Sequence, residues 1–208
     1  MKNLVDMNKP GSTDVTHETQ PGGCGHHHFE KATEILSDEH RVIERVLDVL
    51  QRLTTRPVEN SLGRWKKTLD FFTHFADQCH HFKEEQVLFP AMEGHGIPRE
   101  GGPIGMMLME HEEGRSCVRA MLGAMALVEA KNEAAEKILV DKAKAYLRLL
   151  REHIQKEDEV LFRMADDVIP ADEQKALLRS FKEHEAREMG EGVHEKYLTL
   201  VEELEEND

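Results

Sequence analysis

A ten-residue pattern occurs twice in this chain. His80-His81-Phe82-Lys83-Glu84-Glu85-Gln86-Val87-Leu88-Phe89 is echoed by His153-Ile154-Gln155-Lys156-Glu157-Asp158-Glu159-Val160-Leu161-Phe162, with the shared form H-x-x-K-E-[ED]-x-V-L-F. An isolated Glu-His lies upstream of each copy, Glu39-His40 before the first and Glu110-His111 before the second. On a helix, residues four apart stack one turn above the other on one face. His80/Glu84 and His153/Glu157 are therefore paired donors. With the single histidines His40 and His111 they offer enough nitrogen and oxygen to hold two metal ions. A duplicated ligand pattern predicts a two-fold site between four helices.

The rest of the chain agrees with helices. Aromatics are 5%, charged residues 33% and prolines only 7, against abundant Ala, Leu, Glu and Lys. Apolar residues at spacings of three and four mark four stripes. Leu36, His40, Ile43, Leu47 and Leu50 lie on the first. Leu69, Phe72, Ala76, His80, Glu84 and Val87 lie on the second. Ile104, Met107, His111, Val118, Leu122 and Met125 form the third, and Leu139, Tyr146, Leu150, His153, Glu157, Val160 and Met164 the fourth. The expected fold is all-α, an up-down-up-down four-helix bundle over residues 29–170. Residues 171–208 are expected to add a helical extension, its main helix capped by Asp172 and broken at Gly190 and Gly192. Residues 1–28 are polar and punctuated by Gly and Pro, which predicts a flexible tail. Cys24, His26, His27 and His28 within it are either loose metal donors or incidental.

Composition excludes several function classes. The net charge of −14 disfavours nucleic acid and anionic lipid, which demand cationic patches. Three cysteines without a C-x-x-C fit a reducing cytoplasm better than a disulfide scaffold. No apolar run reaches membrane-spanning length and Met1–Gln20 lacks the apolar core of a signal peptide. The 13 histidines are where the chemistry is concentrated.

Position matters more than number. His40, His80, His111 and His153 each fall on the apolar stripe of a separate helix, where an imidazole must find a hydrogen-bond partner or a metal. Glu84 and Glu157 fall on the same stripes, and a buried carboxylate is costly unless paired or coordinated. The alternative pair in the first copy is His81/Glu85. That face carries His74, Asp77 and Gln78 and reads as solvated, and alignment of the V-L-F triplets sets His153 opposite His80. His80/Glu84 is therefore expected at the metal, with His81 and Glu85 hydrogen-bonded behind a ligand. Imidazoles and carboxylates without thiolate favour iron, with manganese second. Structural zinc prefers a closed tetrahedron, and magnesium and calcium avoid imidazole.

These residues resemble a known family. Glu39-His40-Arg41, the run from Cys79 through Pro90, Glu110-His111-Glu112 and the run from His153 through Phe162 are similar to hemerythrin-like proteins of the HHE cation-binding group, over about residues 30–167. The resemblance implies a four-helix bundle around two non-haem iron ions bridged by two carboxylates and an oxo or hydroxo group. It implies His40, His80, His111 and His153 as terminal ligands and Glu84 and Glu157 as bridges. There is a departure. Oxygen-carrying members supply a fifth histidine four residues after the third-helix histidine, where this chain has Arg115. They also place an Asp five after the fourth-helix histidine, which keeps Asp158 as a rival to Glu157. His184 and Glu44 are further candidate ligands.

The function expected is binding of O₂, NO or peroxide at the iron pair, for sensing, scavenging or storage, with a redox partner protein where electrons are needed. Two alternatives stand beside it. One is an enzyme of nitric oxide or peroxide detoxification or of iron–sulfur centre repair. The other is a metal-free helical interaction protein.

Overall fold

The computed structural model describes residues 29–190 and 193–206; the expectations for residues 1–28 lie outside them. The fold is an all-α bundle. Helix α1 is Ala32–Leu53. Helix α2 spans 62–94, as α-helix over Leu62–Phe71 and Phe89–Gly94 and π-helix over Phe72–His81 and Glu84–Leu88. Helix α3 is Pro103–Glu129. Helix α4 spans 133–168, with a π segment at Glu157–Leu161. These four form the hemerythrin-like core. The extension holds two helices: α5 over 171–189, ending in a π segment, and α6 at Val193–Glu206.

Local chemistry sets the helix ends. The Glu34 carboxylate reaches back to accept from the backbone N–H groups of Glu30 and Lys31, at 2.7 and 3.1 Å, which satisfies donors the first turn leaves open. The Ala32 N–H donates to Gln174 of α5 at 2.9 Å, so the extension caps the bundle. Pro103 opens α3, where its missing N–H costs nothing. The loop before it folds so closely that a Cβ on Gly102 would lie 2.3 Å from the Pro98 carbonyl oxygen. Asn132 caps α4 by accepting from the Ala134 N–H. Asp172 is not the cap of α5; Pro170 holds that place and Asp172 sits in the first turn, where its charge still favours the helix N-terminus.

The core comes in two parts. One gathers Leu47, Leu50, Trp65, Phe71, Phe75, Met121 and Tyr146, and is joined by Tyr197, Val201 and Leu204 of α6. The other gathers Leu36, Leu88, Phe89, Met107 and Phe162, and is joined by Leu177 and Phe181 of α5. A buried polar layer of histidines and glutamates lies between them. Both extension helices pack on the α1–α2 side, and Arg45 pairs with Glu205 in two contacts of 2.9 and 2.6 Å.

The stripes need three corrections. Val160 is 52% exposed while Leu161 is buried; a π turn holds an extra residue, so the segment at Glu157–Leu161 advances the inward register by one. Val87 and Leu88 exchange roles for the same reason, Leu88 being buried and Val87 only partly so. On α3, Leu122 is exposed rather than core, and the neighbouring Met121 is buried.

Candidate metal centre

Seven side chains converge in the polar layer. Among the described residues, ligand atoms of His81, Glu84, His111 and His153 lie within 4.8 Å of one another, and so do those of His40, His80, Glu84 and Glu157. Glu84 belongs to both groups. Glu157 also reaches across, with an oxygen 3.1 Å from His153 Nε2 and another 3.8 Å from His111 Nε2. All seven residues are buried.

The histidines are oriented by one repeated device. Nδ1 of His40 lies 2.8 Å from Asp158, of His80 3.0 Å from Glu39, of His111 2.7 Å from Glu85 and of His153 2.9 Å from Glu110. His81 Nδ1 is 3.4 Å from Asp77. An ionised carboxylate only accepts, so each Nδ1–H donates. That leaves the Nε2 lone pair facing the centre, the arrangement that metal-binding imidazoles use. Lysines steady two of these carboxylates: Lys83 Nζ bonds Glu39 and Glu185, and Lys156 Nζ bonds Glu110.

The decapeptide can now be read residue by residue. Its His faces the centre and its Lys, one turn on, holds the Glu that orients that same His. Its first acid faces the centre. Its second acid, Glu85 or Asp158, orients the histidine of the other motif, His111 or His40. Each Glu-His upstream divides likewise, the Glu going to the next helix and the His inward.

Electrostatics at the middle call for a cation. Both oxygens of Glu84 and both of Glu157 are buried without a hydrogen-bond partner, as is His40 Nε2. Burial and the charge of Glu157 push Glu84 well above the usual carboxylate range. Burial acts on Glu157 in the same direction, but the charge of His153 and the nearby rings of His111 and His40 outweigh it and hold Glu157 well below. Burial pulls His80 down to about 4. Burial acts alike on His153, but Glu157 and Glu110 lift it to about 9. Two facing buried carboxylates with no donor between them are unfavourable unless a cation lies between.

The chain belongs to the hemerythrin HHE cation-binding family. The family's profile matches residues 31–165, which includes every residue of the two ligand groups. Uncharacterized proteins of Mycobacterium tuberculosis and Mycobacterium bovis are each 25% identical to it over 179 residues, covering 85% of this chain and 69% of theirs. No solved structure matches the chain.

Within this hemerythrin-like centre the expected residues take distinct places. His40, His80, Glu84, His111, His153 and Glu157 come together in the middle. Asp158 and Glu85 lie behind histidines. Glu44 is at the surface, paired with Arg41 at 2.8 Å. His184 sits away from both groups, its ring stacked on Phe82 and its Nε2 donating to the Gln78 carbonyl at 2.9 Å. His81 is the correction. Gln78 on its face is exposed and His74 and Asp77 partly so, but His81 itself is 4% exposed, and its ring stacks on His111 with centroids 4.0 Å apart. The π segment Phe72–His81 explains how two consecutive histidines both face inward, because each residue of a π-helix turns through less than one of an α-helix. The sequence held a sign of this. Ile154, aligned with His81, is apolar, and it too is buried. Phe162 stacks on His40 at 5.3 Å and Phe89 on His111 at 6.0 Å, so aromatic rings close the centre from one side.

Proposed function

We propose that this protein holds a pair of iron ions between its four helices and uses them to bind a small diatomic ligand or peroxide reversibly. The observation that carries the reading is the set of four partnerless, buried oxygens on Glu84 and Glu157, ringed by imidazoles whose Nδ1 atoms are already committed. His81, His111 and His153 would hold one ion, His40 and His80 the other, and Glu84 and Glu157 would be shared. Shared carboxylates and five imidazoles suit iron; zinc favours four ligands in a closed tetrahedron. When bound, the iron pair would supply electrons and a Lewis-acidic place for the small ligand.

The chain's own residues do the rest. The Nδ1 contacts fix every imidazole in the tautomer that presents Nε2 inward. Phe89, Phe162 and the two apolar core clusters exclude water. Lys83 and Lys156 keep Glu39 and Glu110 charged, which strengthens the histidines they orient. Metal analysis with a near-ultraviolet spectrum of the oxidised protein tests the reading. About two irons per chain and charge-transfer bands are expected, with reversible uptake of O₂ or NO by the reduced form. A single zinc would refute it, and catalytic turnover of nitric oxide or peroxide would replace binding by an enzymatic role.

A further inference from the structure

A cavity of about 110 Å³ lies between α2 and α3, outside the centre but against it. Phe72, Val118, Tyr146 and Gly114 form its walls, and the His81 ring is its inner end. It reaches the surface at Leu122 and Arg119, whose exposure is 44% for the first and 61% for the second's side chain. It is smaller than the roughly 150 Å³ apolar cavity that accepts benzene or xenon, so its occupant has few atoms.

The charges at its rim are already committed. Arg115 donates through Nε to Asp77 at 2.7 Å and through Nη2 to Glu85 at 2.6 Å, and Arg119 donates to Glu112 at 2.7 Å. An ion entering here would lose its hydration and find no free counter-charge. A neutral, apolar molecule loses little. The inner wall is also the least tethered imidazole of the five: His81 stands 3.4 Å from its carboxylate, against 2.7–3.0 Å for the other four.

We propose that this cavity is a binding site for an uncharged diatomic gas, held beside the metal centre against the His81 ring. The idea rests on the proposed function, but its physical core does not need metal. A Cβ on Gly114 would meet Tyr146 at an ordinary 3.5 Å, so Gly114→Leu places the remainder of its side chain in the cavity. Leu122→Trp, at an exposed rim position, closes the mouth without touching the core and carries the test where Gly114→Leu fails to fold.

The experiment has two arms. Crystals of the wild type under xenon pressure should show xenon in the cavity, and Gly114→Leu should abolish it; an empty wild-type cavity overturns the proposal. In stopped-flow mixing of the reduced, iron-loaded protein with NO, both variants should bind roughly tenfold or more slowly with unchanged equilibrium affinity. Unchanged association rates overturn the cavity's part in binding. A wild type that binds neither NO nor O₂ overturns the proposed function itself, and xenon occupancy then decides the cavity alone.

Discussion

The two copies of the decapeptide contain matched lysines in unmatched surroundings, and this allows a controlled prediction. Lys83 is fully buried, bonded to Glu39 and Glu185, with its ammonium 5.7 Å from the Phe181 ring centroid. Lys156 bonds Glu110 in the same way, but its side chain is 38% exposed. Lys83→Met removes one partner of a buried pair and leaves the Glu39 carboxylate with the His80 hydrogen bond and no counter-charge, which costs about 3–5 kcal/mol. Lys156→Met breaks a pair that water can replace and should cost about 0–1 kcal/mol. At about 2–4 °C per kcal/mol for a chain of this size, the first variant should melt roughly 6–20 °C below wild type and the second only a few degrees below. Urea and thermal unfolding of the chelated protein read both values without interference from metal. A pH series adds a sign. With Lys83 gone, burial raises Glu39, so the variant takes up a proton on folding and loses stability as pH rises above the ordinary carboxylate range. Equal losses in the two variants would refute the claim that burial, not the motif, sets the worth of the lysine.

Other outcomes follow from the same geometry. His81→Ala should reduce iron content and alter the near-ultraviolet bands; full retention of two metals would return His81 to a role behind the ligands. His184→Ala should leave metal content unchanged while costing about 1–3 kcal/mol in urea unfolding, through the Gln78 hydrogen bond and the Phe82 stack. Asp158→Ala and Glu85→Ala should each weaken metal binding roughly 10–100-fold in chelator competition, with the bundle still folded by circular dichroism. In the wild type, burial opposes but Lys83 and His80 outweigh it, and Glu39 is held at about 2. A depressed carboxylate gives stability that is present above its ordinary value and lost as pH falls toward the folded one. Glu39→Gln should therefore flatten the loss of melting temperature between about pH 4.5 and pH 2 relative to wild type.

How much of this was legible in the sequence depended on the helical period. Where the helices are regular, projection at 3.6 residues per turn finds the core: Leu36, His40, Ile43, Leu47 and Leu50 are all buried. It fails at Leu122 of the regular helix α3, which is exposed, and again where α2 and α4 adopt π turns. Val160 was expected inside and Leu161 took its place, and His81 was expected on a wet face and lies in the centre. A π turn is a choice of hydrogen-bond partner and not of residue type, so the sequence held only an indirect sign of the inward His81, the apolar Ile154 aligned with it. The orienting carboxylates were partly legible, since Glu85 and Asp158 were expected near the ligands. Which histidine each would serve was not, because that pairing crosses between helices. Glu39 and Glu110 stood in plain view beside His40 and His111, yet they serve His80 and His153. The extension was legible as helix, and Tyr197, Val201 and Leu204 at spacings of four and three are buried against the bundle.

A repeat of this kind would build a symmetric centre, and the symmetry holds for the three matched pairs His40/His111, His80/His153 and Glu84/Glu157. It breaks at two places. Where the second copy has Ile154 the first has His81, which adds an imidazole to one half of the centre and leaves the other with two. Where Lys156 meets solvent, Lys83 is sealed beneath α5 and bonded to Glu185 of the extension. Both breaks fall on α2, the helix with the longer π stretch, and both lie next to something outside the four-helix core: the cavity at His81 and the extension at Lys83. An evenly matched pair of ions would have no reason to direct a ligand to one of them. On the proposed reading, the two halves would hold unequal numbers of imidazoles, and the cavity lies against the half that has His81. On that reading the asymmetry would serve ligand binding and the shared pattern the holding of the metals.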